Sequence, residues 1–187
     1  MRKRKSFISR ALCLMPAVLW LAVLFYFSGQ SGEESGELSG RLAAALLRHM
    51  PFLNVSQETF NHILRKLAHF GIFAVEGFLV RIGLAGVRPY GRGNLIISVI
   101  ACGFVAVLNE LHQLTSAGRA CMPQDMLLDA FGAAVGALFA LMVECTVHEL
   151  RRRRRRRRKQ SSSWASLRRR REPRQATKRR CCLKRMR

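Results

Sequence analysis

Asn109-Glu110-Leu111-His112-Gln113, followed by Gly118-Arg119 and then by Asp125 and Asp129, lies between two strongly apolar runs, residues 95–108 and 126–143. Read as helices, these runs turn round where a carboxylate, an imidazole, an amide, a guanidinium and two further carboxylates cluster. Ionisable groups at the end of a membrane span are expensive to keep and point to function by default.

Working outward from this stretch gives four spans. Residues 11–27 carry no charge and contain Trp20 and Tyr26. Their basic start resembles a signal peptide, but the run is long for an h-region and lacks an Ala-x-Ala-like cleavage site, so it reads as an uncleaved anchor. Residues 67–86 form the second span, interrupted by His69, Glu76 and Arg81. Residues 95–114 form the third and residues 125–147 the fourth. Between the first two spans, Leu38, Leu42, Ala45, Leu46 and Met50 recur at helical spacing, predicting a short surface helix over 33–50 that stops before Pro51. Ser56, with Glu58 two residues on, reads as the N-cap of the helix leading into span two. Gly132 and Gly136 form a small-xxx-small pair that lets another helix approach closely. The expected fold is an all-α, integral-membrane four-helix bundle with a short surface helix after span one and a disordered basic tail.

Charge divides the chain into three expected regions: a basic N-terminus (1–10), a four-span domain (11–149) and an Arg-rich tail (150–187). Of a formal charge of +22, five Lys/Arg lie in residues 1–10 and twenty in residues 151–187, leaving residues 11–150 near neutral. The extreme pI therefore belongs to the ends. Arg88 and Arg92 lie between spans two and three, so the positive-inside rule puts both termini and that loop in the cytoplasm of a multi-pass cell-membrane protein. Residues 151–159 are nine consecutive cations, a composition that suits anionic lipid headgroups at roughly 1 kcal/mol per basic residue near the surface. Nucleic acid is the less favoured partner of such a tail. The six cysteines contain no CxxC pair, so neither a zinc site nor a disulfide framework is indicated.

This topology brings the polar residues together. Lys66 and His69 begin span two, Glu110 and Gln113 end span three, Arg119 is in the loop, and Asp125 and Asp129 begin span four. All fall at one side of the membrane, the outer one. Lys66 and His69 share a helix face, which Glu76 continues towards the bilayer centre, about 15 Å along from Lys66. Glu110 and Gln113 share a face, as do Asp125 and Asp129; His112 points elsewhere if Glu110 points inward. Lys66 with Asp125 or Asp129, and Arg119 with Glu110, are the expected pairs. A purely structural role, fixing the bundle by ion pairs, is the plain reading of any one of them; Glu76 in particular suits a helix–helix contact.

These residues also carry a family resemblance. Arg65-Lys66-Leu67-Ala68-His69-Phe70 resembles the R-K-x-x-H-F motif of VanZ-like membrane proteins. Asn109–Gln113, Gly118-Arg119 and Asp125–Asp129 resemble that family's D-E-x-x-Q…G-R…D-x-x-x-[ND] signature, and Phe27-Ser28-Gly29-Gln30-Ser31 its F-S-x-Q-x opening. The resemblance covers roughly residues 11–147. Asn109 stands where the family has Asp, Ala120-Cys121-Met122 replaces more polar residues, and the arginine run is an addition. The resemblance implies a four-helix integral membrane protein and importance for Lys66, His69, Glu110, Gln113, Arg119, Asp125 and Asp129. The family takes its name from a glycopeptide-resistance protein linked to reduced teicoplanin susceptibility.

Three functions follow as expectations. The first is a bacterial cell-envelope protein whose outward-facing polar pocket recognises a cell-wall or lipid-linked ligand, with a link to glycopeptide susceptibility. The second is an intramembrane hydrolase or transferase acting on an envelope lipid. In it, Glu110 or His69 would serve as general base, and Arg119 with Lys66 would steady a phosphate or oxyanion. The third is a scaffolding bundle. No cofactor is expected. A metal on His69, Glu110, Asp125 and Asp129 lacks specific ligand spacing.

Overall fold

The computed structural model describes residues 7–50, 52, 54–88, 91–116 and 122–184; for residues 7, 34, 92, 162–163 and 165–184 it describes the backbone alone. Among them the chain is all-helical: α1 Phe7–Ser28, α2 Gly32–His49, α3 Gln57–Val87, α4 Arg92–Gln113 and α5 Pro123–Lys184. Four of these include stretches long and apolar enough to cross a membrane: Ile8–Ser28, Gln57–Val87, Gly93–Gln113 and Pro123–Ser161. The chain divides into two compact units, Met1–Met142 and Val143–Arg187.

The helix boundaries have local causes. Ser56 caps α3, its hydroxyl accepting from the Thr59 N–H at 3.3 Å. Pro123 opens α5 at its first position, where a missing N–H costs nothing. At 31 residues, α3 is about 46 Å long, well over a hydrocarbon core of roughly 30 Å. Its first turns therefore extend beyond the apolar layer. The α2 helix is the predicted amphipathic segment and packs on α3, with Ala43 fully buried.

In the first unit, polarity is inverted relative to a water-soluble bundle. Leu12, Leu19, Ile100, Phe104, Phe131, Leu138 and Phe139 are all exposed, whereas the interior is built largely from small residues: Ala17, Ala106, Ala133, Ala137 and Ala140. Leu24, Phe73 and Cys102 complete the core with Ala106 and Ala133. The largest fully buried side chains are mostly polar, among them Arg81, Glu110, Asn109 and Asp129. In lipid the exposed face needs no covering, and tight backbone approach replaces large apolar knobs as the source of packing energy.

The closest approach joins α3 and α5. A Cβ on Gly77 would collide with the Ala133 carbonyl, one on Gly136 with the Ala74 carbonyl, and one on Gly132 would stand 2.5 Å from the Phe70 carbonyl. The small-xxx-small pair thus finds its partner helix. Because residues 70 and 74 meet 132 and 136 in that order, α3 and α5 run parallel. Antiparallel to α3, α1 is held by the Trp20 indole N–H donating to the Ile72 carbonyl at 3.0 Å, with Cys13 and Leu14 against Gly83 and Gly86.

The Arg-rich tail departs from the expected disorder. Its backbone is helical through Lys184, as a continuation of α5. Arg and Lys are good helix formers, no glycine follows Gly136, and the preceding apolar turns supply the nucleus that an isolated helix must form at a cost. Glu149 adds an i,i+3 ion pair to Arg152 at 3.8 Å.

Packing at glycine leads to a paired expectation. Gly136→Ala should destabilise the protein by about 1–3 kcal/mol through overpacking against α3. Gly103→Ala, where a Cβ meets nothing within 4 Å, should instead gain about 0.5–1 kcal/mol. Thermal melts of both variants in one detergent would check the opposite signs.

Candidate functional site

At one end of the first unit the end of α1, the start of α3, the end of α4 and the start of α5 come together. Lys66 donates to Asp125 Oδ1, and both side chains are about one-quarter to one-third exposed. This is one of the two partners anticipated for Lys66. The other, Asp129, lies a turn deeper, fully buried, with Oδ1 3.6 Å from His69 Nδ1. That separation is longer than a hydrogen bond, and neither Asp129 oxygen has a hydrogen-bond partner. Glu110 is fully buried and accepts the Met122 backbone N–H at 3.2 Å through Oε2, while Oε1 has no partner. Glu110 and Asp125 thus both sit at the N-terminus of α5, where unsatisfied N–H groups and the helix dipole favour negative charge.

Gln113 is buried, with Nε2 unpartnered. His112 does point away from this group: its ring meets Phe25 edge-on at 5.5 Å and packs close to Gly29. Ser116 ties the α4 end to the α1 end by donating to the Gly29 carbonyl at 3.2 Å. Glu76 is buried and lies deeper in the bundle than this group, within electrostatic reach of Cys102. Arg119, Gly118 and the Arg119–Glu110 pairing lie outside the described residues.

Beside this cluster is a cavity of about 630 Å³, bounded by α1, α2, α3 and α4. Along α2, Ser35, Leu38, Ser39 and Leu42 line it at i, i+3, i+4 and i+7, the spacing of one helix face. Leu24, Phe27 and Ser28 line it from α1; Leu64, Arg65, Ala68, His69, Ile72 and Phe73 from α3; Asn109 from α4. The wall is mainly apolar with a few polar groups, the ordinary make-up of a small-molecule site. Of the anticipated residues that are described, only His69 lines it. Asp129 lies 3.6 Å from His69 Nδ1, and Glu110, Gln113, Lys66, Asp125 and Asp129 are not among the lining residues.

The sequence alone did not single out Arg65, Ser28 or Asn109 as lining residues. Arg65 is half-buried and has no ion-pair partner among the described residues. Ser28 Oγ and Asn109 Oδ1 are buried without hydrogen-bond partners. Arg65 precedes Lys66 and Asn109 precedes Glu110, so each was masked by a more conspicuous neighbour. Among the described residues, no three His, Cys, Asp or Glu side chains gather as a metal site.

An apolar-outside bundle with four candidate spans and a polar cluster at one end defines a multi-pass membrane protein. The VanZ/LLP1 family model matches residues 13–144, and the chain belongs to that family. No curated protein and no solved structure matches it significantly.

The two acid positions on α5 should behave differently. Asp129→Asn removes a buried, unsatisfied carboxylate at constant shape and should leave the melting temperature unchanged or raised. Lys66→Met and Asp125→Asn should each destabilise, and the double variant should recover a coupling energy of about 0.5–3 kcal/mol. A double-mutant cycle on detergent-solubilised protein measures it.

Proposed function

We propose that the protein is a component of the bacterial cell envelope that uses the cluster and cavity to recognise a cell-wall or lipid-linked ligand on the outer side of the membrane. The observation carrying this reading is the cavity beside buried, incompletely paired polar groups, Asn109, Glu110 and Asp129. A bundle needing ion pairs only for its own stability would pair them, because an unsatisfied buried polar atom costs about 1–3 kcal/mol. A group held unpaired beside a cavity is positioned for something that enters it.

The outward direction is supported by charge. Arg88 follows α3 at the end opposite Lys66 and His69, and a cytoplasmic place for it under the positive-inside rule supports an outward-facing cluster. The helical tail, with nine consecutive cations around its whole circumference, suits anionic headgroups of the inner leaflet. A link to glycopeptide, in particular teicoplanin, susceptibility is part of this proposal, and the family's VanZ name supports it.

A second reading, an intramembrane hydrolase or transferase, is favoured by one feature. His69 lines the cavity and has Asp129 3.6 Å from Nδ1, a pairing that would need to shorten to a hydrogen bond for the carboxylate to orient the imidazole as general base. Turnover of a lipid substrate that is lost in His69→Gln and in Asp129→Asn would select it over recognition alone.

Direction and role are tested together in cells. With single-cysteine variants, an impermeant maleimide added outside should label position 121 and miss position 181; labelling at 181 would reverse the topology. Wild-type expression should lower teicoplanin susceptibility. Glu110→Gln and Asp129→Asn should insert at wild-type levels and abolish that effect. Full retention of the effect in both would remove the site from the function.

A further inference from the structure

The cavity has an axial polarity. On α1, Leu24 lies one turn deeper in the bundle than Ser28. On α3, Ile72 lies about 10 Å deeper than Arg65. Leu24, Ile72 and Phe73 therefore bound the inner part, whereas Ser28 and Arg65 stand nearer the bundle end. Leu38 and Leu42 line the cavity yet are 63% and 52% exposed, so they leave apolar surface for an occupant.

The polar part includes one full positive charge, the Arg65 guanidinium. Lys66 is engaged by Asp125, whereas its neighbour Arg65 makes no ion pair among the described residues. His69 lines the cavity, and Asp129 Oδ1 lies 3.6 Å from its Nδ1. Among the described residues, no carboxylate lines the cavity. Ser28, 6% exposed, adds a hydroxyl with no hydrogen-bond partner. A planar guanidinium, an imidazole and a hydroxyl supply several donors, matching the multiple acceptor oxygens of a phosphate better than the two of a carboxylate.

We propose that this cavity binds an amphiphile with an apolar chain and a phosphate headgroup, the chain against Leu24, Ile72 and Phe73, the phosphate against Arg65, His69 and Ser28, and Leu38 and Leu42 of α2 forming an apolar side wall. This rests on the envelope-ligand reading and names the chemical class of its ligand. The headgroup lies near the bundle end, where α3 leaves the apolar layer, and the chain runs inward along the membrane normal. Such a ligand keeps its phosphate at the depth of the interface and needs no charge transfer into the hydrocarbon.

The test uses the full chain in micelles of an uncharged maltoside detergent, with binding read by native mass spectrometry. The probes are oleoyl lysophosphatidate, uncharged monoolein and inorganic phosphate. High salt suppresses attachment of phosphate to the arginine tail, and every variant retains that tail, so differences from wild type report the cavity. Wild type should retain one lysophosphatidate in preference to monoolein. Arg65→Gln should weaken it by about tenfold, the loss of one charge-assisted contact, and Arg65→Lys by less. Leu38→Trp, which fills the cavity from an exposed helix position, should abolish it while the melting temperature holds.

Equal binding of monoolein and lysophosphatidate, with Arg65→Gln neutral, overturns the phosphate assignment but leaves a lipid-binding pocket. Tight inorganic phosphate with Leu38→Trp neutral makes the site one for free phosphate and overturns the amphiphile. Lysophosphatidate bound equally by wild type and Leu38→Trp places binding outside the cavity and overturns the proposal. Failure of all three probes overturns it too. The broader reading fails separately, through persistence of the teicoplanin effect in Glu110→Gln and Asp129→Asn.

Discussion

The site depends on the backbone contact between α3 and α5. Gly77, Gly132 and Gly136 remove the side chains that would otherwise hold these parallel helices apart. Their register aligns Phe70 with Gly132 and Ala74 with Gly136, which carries Lys66 to Asp125 and His69 to Asp129 a few residues earlier on both helices. Ion pairs do not have to steer the helices together. Dispersion along a small-residue seam sets the register, and the polar groups are presented to each other as a consequence.

The inverted polarity of the bundle explains how such a cluster is tolerated. With its large apolar side chains on the outside, the interior is left to alanines and to polar residues. Charge is placed near one end, where α3 outruns the hydrocarbon thickness and α5 offers its N-terminal dipole to Glu110 and Asp125. Compensation is incomplete: Lys66 answers Asp125, but Asp129 has only a longer contact to His69, and Asn109 and Gln113 each keep an unpartnered atom. Residual cost of this kind concentrates at functional sites.

Much of this was legible in the sequence because membranes simplify the code. Charge-free or nearly charge-free runs mark spans by length alone, and capping at Ser56 and the Gly132/Gly136 spacing carry local signals that survive in the fold. The convergence of Lys66, Asp125 and Asp129 followed from counting spans. The cavity did not, since α2 forms one of its walls and a short amphipathic helix can as readily lie on the membrane as pack on a bundle. Arg65 and Asn109 were hidden for a related reason: helical position assigns each a face but not which face borders empty space. The tail misled because its composition resembles a disordered chain, while each Arg is individually a good helix former following an already nucleated helix.

The geometry also explains why motifs so far apart in the chain belong together. Ser28, in the first, lines the cavity with Arg65 and His69 of the second and Asn109 of the third. The next residue of the third, Glu110, accepts the N–H of Met122 at the start of α5, the helix that carries Asp125 and Asp129. Four short segments, each weak as a signature, are thus the four sides of one structure. Asn109 fits this account despite lacking the charge expected there, because it borders a cavity already flanked by buried carboxylates at Glu110 and Asp129. A third carboxylate at that depth would add repulsion and desolvation, and would offset the positive charge that Arg65 brings to the cavity.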